Sequence, residues 1–257
     1  MANAAMREPD IHFAPTPHRV IPEMLRLAKV GSDSLVYDLG SGDGRVLIAA
    51  ARDCGARGVG FDVDPVRIAE SRASAIQAGV QDRVQFLQGN FFDVPISEAT
   101  AVVLYLVDSV NIRLRPKILS ECQPGVRVVS YSFEMGDWEA DAHTPIAANG
   151  VFLWIVPGQV GGFWSGCAES ESAGLESLSL RQTFQKLSGA ARIRGRFGNI
   201  VEGRVAGGQF TLAVDMEDGE QRITIAGKVL GETIEGTAFE NGAETPFALH
   251  RASSAEA

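Results

Sequence analysis

Cysteine is scarce in this chain: Cys54, Cys122 and Cys167 are the three present in 257 residues. They lie too far apart for a zinc site or a disulfide framework, so a reducing compartment and a cytoplasmic location are expected. The four histidines show no spacing of the metal-ligand or catalytic-triad kind. Positive charge is also short. Lys and Arg number 23 against 32 Asp and Glu, a net charge of -9, which is the wrong sign for gripping a phosphate backbone and predicts no nucleic-acid partner. No run approaches the ~20 apolar residues of a membrane span. Residues 1–10 lack a basic segment followed by an apolar stretch, so no secretory leader is expected. What is present is a large apolar fraction, 45%, with 21% charged residues, and wholesale disorder is excluded.

The periodicity changes near residue 158. Before it, apolar strands alternate with helical patterns. A helix is predicted over 18–29, then the strand Ser34–Asp38, a glycine turn, and the helix Arg45–Asp53. Gly58–Asp64 reads as a strand, with Pro65 opening a helix to about Ala78. Strands follow at Arg83–Gln88, Ala101–Val107, Val126–Phe133 and Val151–Val156, with a helix over Asn111–Cys122 that contains Pro116 and an irregular connection over 139–150. Strands apolar throughout fit a parallel sheet covered on both faces. After 158 only short alternating strands occur, as in Phe210-Leu212-Val214 and Ile223-Ile225. The octets starting at Gly203 and Gly227 match at an offset of 24 residues, each reading strand, glycine turn, strand. The expected organisation is an α/β domain over 1–157 and a small antiparallel β-meander domain over 158–257, with a frayed tail from Ala252. Trp164 and Phe247 are expected in the meander's core.

The most informative stretch is Val36-Tyr-Asp-Leu-Gly-Ser-Gly-Asp-Gly-Arg45, where a strand enters three alternate glycines and a helix follows. Glycine permits positive φ and close approach of backbone to a ligand, and a helix start just beyond favours an anionic group. A P-loop is excluded, because no Gly-Lys-Ser/Thr follows. A dinucleotide site needs G-x-G-x-x-G, whereas Gly40, Gly42 and Gly44 are spaced G-x-G-x-G, and Asp38 would repel a pyrophosphate. A ligand with a cationic amino acid group suits the turn instead, and S-adenosyl-L-methionine is such a ligand. An acid ends the next strand, Asp62, about where a doubly wound nucleotide fold carries its ribose acid.

Asp38-Leu-Gly-Ser-Gly-Asp-Gly resembles motif I of the class I S-adenosylmethionine-dependent methyltransferases. The resemblance implies a Rossmann-like sheet with helices on both faces. It also implies that Asp38, Gly40, Ser41 and Gly42 contact the methionine end of the cofactor. Gly58-Val-Gly-Phe-Asp-Val-Asp-Pro65 is similar to motif II and assigns Asp62 to the ribose. Gly89-Asn-Phe-Phe-Asp93 is similar to motif III, with Asn90 at the adenine amino group and Phe91 beside the ring. Ala14-Pro-Thr-Pro17, Leu114-Arg-Pro-Lys117, Arg127-Val-Val-Ser130 and Met135-Gly-Asp-Trp138 extend the likeness. Together they resemble the bacterial relatives of the ATP synthase c-subunit lysine methyltransferase group. That group implies a lysine amine as acceptor. Thr16 and Pro17 have two readings: closing over the cofactor, or starting the first helix.

Asp108, at the edge where open α/β sheets bind ligands, has two readings: orienting or deprotonating the acceptor, or capping the next helix. Glu134, with Asp137 and Trp138, is the other candidate for the acceptor wall. A neutral amine attacking a sulfonium needs alignment and dryness more than acid catalysis. A protein or a small molecule remains open as acceptor, and a non-catalytic scaffold is the alternative outside enzymes.

Overall fold

A computed structural model describes residues 13–166, 174–217, 219 and 221–252. His12, Cys167 and nearly all of the expected frayed tail lie outside the described residues. The chain divides into two compact units, Met1–Val156 and Pro157–Ala257.

The first unit runs α1 (Ile21–Leu27), β1 (Leu35–Leu39), α2 (Arg45–Cys54), β2 (Arg57–Asp62), α3 (Pro65–Gln77), β3 (Val84–Gln88), β4 (Ala101–Leu104), α4 (Asp108–Glu121), β5 (Arg127–Tyr131), β6 (Ala142–Ile146) and β7 (Asn149–Ile155). The seven strands form one sheet in the order β3-β2-β1-β4-β5-β7-β6. The first five are parallel, and β7 runs antiparallel to both β5 and β6. Helices α1, α2 and α3 share one core with Val36, Val103, Val129 and Val151. Their strand neighbours Val102 and Val128 are equally buried but face the other way, toward α4, whose Val110, Leu114 and Ile118 are buried outside that core. The parallel strands read correctly because both sheet faces are apolar. Strand order reverses between β1 and β4, and the carboxyl ends of these two strands border the crevice where such sheets hold ligands.

The structure departs from the sequence reading in two places. Residues 139–150 contain the edge strand β6 and its turn to β7, not only an irregular connection. Its sequence, Ala-His-Thr-Pro-Ile, is polar and carries Pro145, features that an edge tolerates and that conceal a strand. Helix α4 begins at Asp108, three residues earlier than predicted, with Val107 as an N-cap that makes no side-chain bond. Pro116 lies inside it.

The second unit comprises β8 (Gly162–Ser165), β9 (Leu175–Thr183), β10 (Lys186–Ile193), β11 (Arg196–Ala206), β12 (Gln209–Met216), β13 (Arg222–Leu230), β14 (Thr233–Glu240) and β15 (Ala243–Arg251). The expected meander closes on itself as an eight-stranded antiparallel barrel, sealed by β8 pairing with both β15 and β9. The two octets matched at 24 residues are successive hairpins, β11–β12 around Gly207-Gly208 and β13–β14 around Gly231-Glu232. Gly207 and Gly231 both take positive φ, as two-residue hairpin turns require. Trp164, Phe210, Leu212, Ile225, Phe247 and Leu249 fill the interior, so this barrel is a packed core.

Candidate active site

The site grows from the end of β1. Asp38 is 5% exposed. Burial first, then the neighbouring charges of Asp62 and Asp43, push its pKa up to about 7. Gly40 follows at φ +92°, and its amide and that of Ser41 both donate to the Phe61 carbonyl of β2 at 2.9 Å. A Cβ at Gly40 would stand 3.0 Å from Leu106 Cδ2, beyond the end of β4. The glycine bend and the β4–α4 junction are thus in contact across the switch point. Ser41 Oγ is buried without a partner among the described residues.

Asp62 ends β2. Its Oδ2 accepts from the Gly42 amide at 2.9 Å and its Oδ1 from the Asp64 amide at 2.9 Å, which fixes the carboxylate against the bend. Gly44, at φ +79°, is the N-cap of α2, and a Cβ there would press into Phe86 and Ser71. Asp43 and Arg45 form a bidentate pair, with Nε to Oδ1 at 2.9 Å. Burial works to raise the Asp43 pKa, but the bonds from Arg45 prevail and hold it below its ordinary value. Arg45 also donates to the Thr16 carbonyl at 3.2 Å, tying the segment before α1 to the bend. Thr16 is buried. Phe13, three residues earlier, lies directly over Gly42, with the Arg67 guanidinium 4.6 Å from its ring centre. Sequence reasoning missed Phe13; its place beside the Ala14-Pro-Thr-Pro17 segment was the available signal.

Beyond β3, Asn90 forms a local turn: Oδ1 accepts from the Phe92 amide at 3.1 Å and Nδ2 donates to Asp93 at 3.0 Å. Phe91 packs on Phe92 with ring centres 4.9 Å apart, and it is the next side chain after Leu106 that a Cβ on Gly40 would meet. The structure therefore gathers Thr16, Asp38, Gly40, Ser41, Gly42, Asp62 and Phe91 around one bend, with Asn90 adjoining Phe91.

On the β4–β5 side, Asp108 and Glu134 are brought together, but through the backbone: Asp108 Oδ1 accepts from the Glu134 amide at 2.8 Å. Both side chains are exposed. Asp137 is exposed and paired with Arg115, whereas Trp138 is fully buried and its carbonyl accepts from Trp154 Nε1 at 2.7 Å. Tyr105 and Phe133, which sequence reasoning passed over, flank this side with ring centres 6.1 Å apart.

The donor and acceptor set suits a nucleoside with a cationic amino acid arm. A buried carboxylate lies near a buried hydroxyl that lacks a partner among the described residues, a second carboxylate stands at the end of β2, and the glycines leave no Cβ between them. A sheet of this order with this bend defines a class I S-adenosylmethionine-dependent methyltransferase. The profile of the ANTKMT methyltransferase domain matches residues 38–142. The chain is 46% identical over 131 residues to a protein-lysine N-methyltransferase of Saccharolobus islandicus, covering 51% of this chain and 81% of that protein. It is 30% identical over 182 residues to the ATP synthase c-subunit lysine N-methyltransferase of Mus musculus, covering 68% and 73%. A crystal structure described as an RNA methyltransferase from Salinibacter ruber, in complex with S-adenosyl-L-homocysteine, is 47% identical with a TM-score of 0.56, covering 57% of this chain and 96% of that one. The chain belongs to the ANTKMT methyltransferase family.

Proposed function

We propose that this methyltransferase acts on the side-chain amine of lysine in a protein. The observation that carries the reading is the 46% identity to a protein-lysine N-methyltransferase over four fifths of that relative's length. S-adenosylmethionine, when bound, supplies a methyl group made electrophilic by its sulfonium. In the proposed site, Asp38 accepts from the cofactor's amino group, and the glycine bend with Ser41 lines its methionine arm. Asp62 accepts from the ribose hydroxyls. Asn90 accepts from the adenine amino group, and Phe91 flanks the ring. Thr16 and Phe13 cover the bend from the N-terminal side.

A free lysine amine has a pKa of ~10.4, so it must shed a proton before it can attack. The exposed carboxylate of Glu134 draws the ammonium form to the mouth of the crevice. The proton leaves to water as the amine passes the half-buried rings of Tyr105 and Phe133. Alignment and exclusion of water then do the catalytic work.

The solved relative described as an RNA methyltransferase favours a second reading, an RNA acceptor. The net charge of -9 supports the protein acceptor over it. Transfer of tritium from methyl-labelled cofactor into cell lysate, followed by complete hydrolysis and chromatography, separates the cases. Label in N-methyllysines is expected; label in methylated nucleosides establishes the RNA reading, and label in intact small molecules a metabolite acceptor.

A further inference from the structure

We propose that one face of α4 is a clamp that positions residues 132–137 as the acceptor-side wall of the methyl-transfer site, with Asn111 as its central positioning residue. Asp108, Asn111 and Arg115 are spaced i, i+3 and i+7, which places them in one row along the helix. All three reach the same segment. Asp108 Oδ1 accepts from the Glu134 amide at 2.8 Å. Asn111 Nδ2 donates to the Phe133 carbonyl at 3.4 Å, the Glu134 carbonyl at 3.3 Å and Ser130 Oγ at 3.3 Å. Arg115 Nη1 donates to the Met135 carbonyl at 2.8 Å and pairs with Asp137.

The composition of this face argues that it serves more than cohesion. Asn111 is 0% exposed, and its Oδ1 has no partner among the described residues. Burying an amide with an unmet acceptor is unfavourable, and the other buried positions of α4, Val110, Leu114 and Ile118, avoid that cost by being aliphatic. The segment it holds is itself strained. Ser132 takes φ +70°, a left-handed conformation that a non-glycine residue keeps only when its surroundings impose it, and its buried Oγ also lacks a partner. An unsatisfied amide holding a strained turn destabilises the apo protein, and such devices belong to functional sites.

The clamp is also registered to the cofactor crevice. Leu106, two residues before α4, packs on Gly40 of the bend, and Tyr105 stands 6.1 Å from the Phe133 ring. The first turn of α4 thereby links the bend to the wall that carries Phe133 and Glu134. Calling that wall the acceptor side rests on the function proposed above. Asp108 on this view acts through the oxygen that holds the Glu134 amide, not through its charge.

The test uses the full chain, methyl-labelled S-adenosylmethionine, poly-L-lysine as the acceptor probe, calorimetry with S-adenosylhomocysteine, and deuterium exchange over residues 132–138. Asn111→Asp keeps the shape and removes every donor. It is expected to lower kcat/KM for the acceptor about 10–100-fold, to speed exchange in that segment, and to leave adenosylhomocysteine affinity within about twofold. Asp108→Asn, which keeps the accepting oxygen, is expected to retain activity within about threefold, whereas Asp108→Ala falls well below it. Unchanged transfer in Asn111→Asp overturns the proposal. So does a parallel loss of cofactor affinity, which marks a merely structural role, and so does an Asp108→Asn variant as impaired as Asp108→Ala. If Asn111→Asp does not fold, the Asp108 pair decides. Failure of the unmodified protein to label poly-L-lysine defeats the lysine reading alone, and the same ratios are then measured on whichever lysate fraction takes the label.

Discussion

Replacing Asp38 by Asn should make the apo protein more stable at alkaline pH while weakening its grip on the cofactor. An exposed aspartate ionises near 3.9. In the folded chain, burial and the charges of Asp62 and Asp43 push Asp38 up to about 7. Below pH ~4 both folded and unfolded chains hold the proton, and the residue contributes no difference. Between ~4 and ~7 the unfolded chain releases it first, so stability declines as pH rises, and above ~7 the whole penalty, roughly 4 kcal/mol, is present. Asn removes the charge but leaves a buried amide with unmet bonds, a cost of about 1–3 kcal/mol. The net gain expected at pH 8 is therefore about 1–3 kcal/mol, or roughly 2–10 °C in Tm, turning to a loss at pH 5. Binding runs in the opposite sense. The ionised carboxylate is the form that accepts a cationic amino group, so adenosylhomocysteine affinity should rise up to about tenfold per pH unit until pH ~7 and then level. Calorimetric melting at pH 5 and pH 8, with titrations of adenosylhomocysteine over the same range, checks both parts. An Asp38→Asn variant whose melting shift is the same at both pH values, or a wild-type affinity flat from pH 5.5 to 8.5, would refute the reasoning.

Other substitutions probe separate parts of the fold. Gly44→Ala forces a left-handed backbone on a residue with a Cβ and drives that Cβ into Phe86 and Ser71, so a loss of at least about 2 kcal/mol is expected in chemical denaturation. Asp62→Ala leaves the amides of Gly42 and Asp64 without their acceptor and removes the proposed ribose ligand; a fall in cofactor affinity of about 100-fold is expected by calorimetry. Trp164→Ala empties the barrel core of a fully buried ring whose Nε1 donates to the Val160 carbonyl at 2.8 Å and whose face carries Arg251 at 4.1 Å. It should cost the second unit about 3–5 kcal/mol, seen as an earlier melting transition.

The parallel half of the sheet was legible because β1, β4 and β5 are mostly apolar and buried and α2 carries a clear 3.6-residue stripe. The bend was legible because alternate glycines between a strand and a helix have few other uses. What stayed hidden depended on distance along the chain. Barrel closure requires β8 to find both β9 and β15, a pairing no local pattern announces, and β6 was masked by its polar edge sequence. Asp108 illustrates the limit within the site. Its residue type and position on the sheet edge pointed to the crevice, but only the fold reveals that it reaches the Glu134 amide. Asn111 and Ser132 gave no sequence signal at all, since a buried amide and a strained serine resemble ordinary polar residues until their surroundings are known.

Titration calorimetry of the full chain measures most directly whether the bend between Asp38 and Asp62 holds a sulfonium nucleoside. One site for adenosylhomocysteine is expected, weakened about 100-fold by Asp62→Ala, with no heat from NADH. Saturable heat with NADH and none with adenosylhomocysteine would contradict it.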